Sequence, residues 1–84
     1  MRKQVREAID YYIGELKGRF LDVKVEEMPE AMGGFDVWLQ VTAPDPRSFD
    51  DVLDATAELN GECYEKFSVG ILATVLGPAH PVEA

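Results

Sequence analysis

Phe35-Asp36-Val37-Trp38-Leu39-Gln40-Val41-Thr42 alternates without a fault. Successive side chains of a strand project to opposite faces, so Phe35, Val37, Leu39 and Val41 point one way and Asp36, Trp38, Gln40 and Thr42 the other. The first set asks for a core. The second carries the only tryptophan of the chain between polar neighbours. The flanking sequence has to supply cover for the first face.

Downstream, Ala43-Pro44-Asp45-Pro46-Arg47-Ser48 resets the backbone. Either Asp45 caps a helix with Pro46 at its first position, or Ser48 caps it with Asp51 three residues on. Phe49, Val52, Leu53, Thr56 and Leu59 then form its buried face, and Asn60-Gly61 is a stop signal. Residues 63–76 read as the last strand. Phe67, Val69, Ile71, Ala73 and Val75 alternate there with Ser68, Gly70, Leu72, Thr74 and Leu76. Its apolar, β-branched character predicts a central position or cover on both faces.

Upstream, residues 19–27 alternate as well, with Leu21, Val23 and Val25 facing inward and Phe20, Asp22, Lys24 and Glu26 outward. The break Met28–Gly34 makes this run and the next an antiparallel hairpin with a long connection. Residues 2–18 form an amphipathic helix. Val5, Ala8, Ile9, Tyr12, Ile13 and Leu16 keep the i, i+3, i+4, i+7 spacing, an arc of roughly 140°. Lys3 with Glu7 and Arg6 with Asp10 are opposite-charge pairs on its outer side, and Gly18 is a candidate cap.

The order helix, strand, strand, helix, strand predicts an α+β two-layer sandwich with a three-stranded sheet and two helices on one face. It resembles a ferredoxin-like βαββαβ unit without its first strand, and a likeness of pattern carries no function. Residues 1–76 read as one domain and 77–84, with Pro78 and Pro81, as a flexible tail. Strand order is not legible.

The chain has 84 residues and 9.3 kDa, room for one modest core. Sixteen acidic against eight basic residues give −8, which argues against nucleic acid as a partner. The charge is uneven. Residues 1–20 hold five bases and three acids, net +2, and residues 21–84 three and thirteen, net −10. One cysteine precludes an internal disulfide, and one histidine precludes the common Cys/His zinc sites. No cofactor, no metal and no membrane partner is expected, and the location expected is cytoplasmic.

Three constellations merit chemical weight. The outward sheet face carries Phe20, Trp38, Leu72 and Leu76 among polar residues, a pattern that fits an interface with a second copy or another protein. Asp50, Asp54 and Glu58 make an acidic row on the second helix, the surface of a docking stripe for a basic protein or of an ordinary solvated helix. The 28–36 loop with Asp36 would be the place for a small-ligand or enzyme site. Cys63, near the start of the last strand, has no imidazole tied to it, since His80 lies in the tail. Gly33-Gly34 fits no phosphate-loop pattern. The reading is a small non-catalytic binding or oligomerisation domain.

Overall fold

The computed structural model describes residues 3–30 and 33–77. It contains α1 (Lys3–Arg19), β1 (Lys24–Glu27), β2 (Val37–Thr42), a single 3₁₀ turn (Pro46–Ser48), α2 (Phe49–Phe67) and β3 (Ile71–Leu76). This is an α+β fold with a mixed sheet in the order β1-β2-β3. β1 runs antiparallel to β2, with Val25 opposite Val41. β3 runs parallel to β2, with Val37 beside Ile71 and Val41 beside Val75. A parallel neighbour needs a crossover long enough to return the chain, and α2 supplies it.

The alternation of the middle strand is realised from Val37 onward, whereas Phe35, expected on the inner side, precedes the strand and is 43% exposed. Val37, Leu39 and Val41 are buried, and Trp38, Gln40 and Thr42 are half-buried on the other face. The buried face joins Val5, Ala8, Ile9, Tyr12 and Leu16 of α1 with Val52, Ala55, Leu59 and Cys63 of α2 in one core. Tyr12 is fully enclosed, and its hydroxyl donates to the Thr56 carbonyl at 3.3 Å. That bond meets the rule that a buried hydroxyl must find a partner. The two capping readings divide: Asp45 caps the 3₁₀ turn that leads into α2, and Ser48 takes the N-cap position of α2 itself. The Asp45 Oδ1 accepts from the Ser48 N–H at 2.9 Å, with Pro46 next in line, and Ser48 makes no side-chain cap bond.

Several expectations are corrected. The helix does not stop at Asn60-Gly61 but runs to Phe67. Cys63, four residues beyond Leu59, continues the buried stripe, and its thiol donates to the Ala8 carbonyl at 3.7 Å. Packing against α1 outweighs the roughly 1 kcal/mol that one helical glycine costs. Cys63 and Phe67 therefore sit on α2, not on the last strand. Ser68 ends the helix in the left-handed conformation, φ 57°, its N–H donating to the Tyr64 carbonyl at 3.0 Å.

β3 is an edge strand rather than a central one. Its apolar inner face is explained by the cover of α2, which packs directly on it. β1 is shorter than the alternation, because Phe20–Val23 form a turn closed by the Val23 N–H on the Phe20 carbonyl at 3.1 Å. Leu21 consequently projects into solvent, 87% exposed, and Leu53 on α2 is also exposed at 46%. Gly18 lies inside α1 and is not a left-handed cap; Gly34 is the glycine with positive φ among the described residues. The expected tail falls almost wholly outside the described residues.

Candidate functional site

The outer face of the sheet is set by register. Because Trp38 stands beside Leu72, Gln40 beside Thr74 and Thr42 beside Leu76, these six side chains share the side turned away from the buried core and both helices. Lys24 and Glu26 complete it on β1, opposite Thr42 and Gln40. The Trp38 indole Nε1–H donates to Thr74 Oγ1 at 2.9 Å. The ring thus leans across the sheet toward β3, its polar edge satisfied and its body half-buried on the outer face. Such an amphipathic ring loses little conformational freedom on binding, which suits it to act as an anchor.

Of the residues read as an interface, Trp38, Leu72 and Leu76 are brought onto one face. Leu72 is half-buried and Leu76 is 39% exposed. Phe20 is not on this face. It lies in the turn after α1 and packs, half-buried, against the core. Met28, which the sequence assigns to the break, takes a place here instead. Its N–H donates to the Trp38 carbonyl at 2.9 Å, one step past the Glu27–Leu39 pair. Even-number parity with Lys24 and Glu26 was the available signal, masked by Pro29. The face therefore has an apolar end (Met28, Trp38, Leu72) and a middle row that is polar (Glu26, Gln40, Thr74). Lys24 and Glu26 cancel, so the face adds no net charge to a chain at −8.

The acidic row is real but partly engaged. Asp50, Asp54 and Glu58 are all exposed. Glu58 meets Arg19 at 3.0 Å, and Arg19 also reaches Glu15 at 3.7 Å. The hydrogen bond to Glu58 raises the Arg19 pKa above its ordinary value. Arg6 joins Asp10 and Glu27, each at 3.5 Å. The positive charge of α1 is thus spent partly within the chain, on α2 and β1. Exposed pairs of this kind contribute little stability, about 0–1 kcal/mol each.

Asp36 serves the backbone. Its Oδ2 accepts the Gly70 N–H at 2.9 Å, while its own N–H and that of Val37 donate to the Gly70 carbonyl at 2.8 and 3.2 Å. This clamp sets where β3 begins beside β2. No local pattern announces it, because residues 34 apart meet only through the parallel crossover.

Cys63 is buried, and burial, assisted by the neighbouring Glu62 charge, pushes its thiol up to about 11. A protonated, enclosed thiol is a poor nucleophile. Burial likewise raises the Tyr12 hydroxyl. Tyr11 donates to Glu62 Oε1 at 2.6 Å, has Lys66 Nζ 4.8 Å above its ring and tilts against Phe67 at 5.8 Å. It is a clasp between the two helices. Among the described residues, no three His, Cys, Asp or Glu side chains are gathered to hold a metal ion. None of the described helices is long and apolar enough to cross a membrane. Comparison with protein-family models, curated proteins and solved structures finds no match.

Proposed function

We propose that this chain is a non-catalytic binding module that holds an apolar segment of a protein partner against the outer face of its sheet. The observation that supports this reading is the Trp38 ring, fixed over β3 by Thr74 on a face away from the helices. Leu72 and Met28 flank the ring, and the Gln40 and Thr74 row offers donors and acceptors that set orientation. The face has no net charge, so an apolar partner is not required to neutralise anything.

The test is affinity selection of a random peptide library on the full chain, read by Trp38 emission. Apolar peptides should emerge, shift that emission and lose about tenfold or more in affinity for Trp38→Lys, the cost typical of an interface anchor. Leu72→Lys serves as a second variant should the first disturb the fold. Peptides that bind both variants as well as the parent chain, or no binders at all, would refute the proposal.

A further inference from the structure

The two edges of the sheet are built differently. β1 is four residues long and carries Lys24, Glu26 and Glu27, the charges by which natural edges repel stray strands. β3 has none of this protection. From Val69 to Gly77 the chain contains no charged residue and no proline. The Val37 and Ala43 N–H groups donate to the Gly70 and Leu76 carbonyls, so even-numbered residues of this strand turn their backbone toward β2. Ile71, Ala73 and Val75 turn theirs outward. No strand among the described residues pairs with that edge.

The helix above the edge continues the pattern. α2 packs on both β3 and α1. Its α1 side is marked by Glu58 and Glu62, which reach Arg19 and Tyr11. Across the buried stripe from them, by helical spacing, lie Phe49, Leu53, Asn60 and Tyr64, without a charge. This flank is the side of α2 turned away from α1, and Leu53 and Tyr64 on it are 46% and 67% exposed.

We propose that a second copy of this chain pairs antiparallel with the open edge of β3 and brings its α2 flank against the same flank, joining two sheets into one of six strands. A strand edge is complementary to its own image about a twofold axis, and so is the flank above it. Two molecules at −8 repel each other, and this strip carries no charge of its own to add to that repulsion. An isolated extended peptide would satisfy the backbone of β3 but leave Leu53 and Tyr64 in water. A second copy covers both. The outer faces of the two sheets then form one surface with a Trp38 in each half.

Light scattering on the full chain, from micromolar to millimolar concentration, reads the association directly. The expected mass is twice 9.3 kDa. Leu53→Arg with Tyr64→Arg, on the exposed side of α2, should weaken the dimer by about tenfold or more. Ala73→Pro should do the same, because the N–H it removes faces outward and the ladder to β2 stays whole. Hydrogen exchange at Ile71, Ala73 and Val75 should slow as concentration rises. Trp38→Lys should leave the mass unchanged, which separates this inference from the partner-binding role of the outer face. A parent chain that stays monomeric throughout overturns it, as does a dimer that survives the α2 double variant or dissociates only with Trp38→Lys. If Ala73→Pro unfolds, the double variant decides.

Discussion

Gly61→Ala should stabilise this protein, although its sequence context reads as the end of a helix. Gly61 lies within α2, six residues before its end at Phe67, exposed, and a Cβ built on it meets nothing within 4 Å. A glycine in a helix interior costs roughly 0.5–1 kcal/mol relative to alanine, through the backbone freedom it gives the unfolded chain. The gain should equal that amount. For a domain of this size it corresponds to a rise of roughly 2–8 °C in Tm. Gly14 in α1 offers the same open space, so the pair Gly14→Ala and Gly61→Ala should contribute roughly 1–2 kcal/mol together, the sites being on different helices. Gly34 is the control of opposite sign. Its φ of +83° is one that alanine adopts only with strain, and Gly34→Ala should cost about 1–2 kcal/mol. Urea and thermal unfolding followed by far-ultraviolet circular dichroism measure all four proteins. If Gly61→Ala destabilises by about 1 kcal/mol or more, Gly61 is left-handed, the helix ends there, and the placement of Cys63 in the core is wrong.

Other perturbations test separate parts of the structure. Ser68→Gly should stabilise by about 1 kcal/mol, because Ser68 ends α2 at a positive φ that glycine takes freely, and an unchanged or lower urea midpoint would contradict that conformation. Asp36→Ala should cost about 1–2 kcal/mol by releasing the Gly70 N–H, with early loss of amide protection at the start of β3; wild-type stability would show the clamp to be idle. The Cys63 thiol titrates at about 11 in the folded chain against an ordinary 9.0, so the unfolded chain gives up this proton first. Its contribution is therefore whole below about pH 9 and is lost as pH rises toward about 11. Urea midpoints should fall across that window, and Cys63→Ala should flatten the fall; identical slopes in the two proteins would remove Cys63 as the cause.

Local pattern alone determined much of this protein. The parity of residues 37–42 named the buried and the outer side of the central strand, since a strand side chain has only two directions to choose between. The spacing of Val5, Ala8, Ile9, Tyr12 and Leu16 did the same for α1. Those signals are local, and so they also put Trp38, Leu72 and Leu76 on one face before any contact was known. Local signals misled where a distant partner decided the outcome. Asn60-Gly61 is a stop in isolation, but the helix passes through it because Cys63 and Glu62 have α1 to pack against. Phe20 alternates like a strand residue, but the turn after α1 sets it half-buried against the core. Apolar composition in β3 asks for a central place in the sheet or for cover on both faces, whereas burial of one face under α2 makes the same demand of an edge strand. Strand order and the clamp between Asp36 and Gly70 depend on pairings across the crossover, which no periodicity within one segment encodes. Side-chain period fixes which way a residue faces; only the assembled chain fixes what it faces.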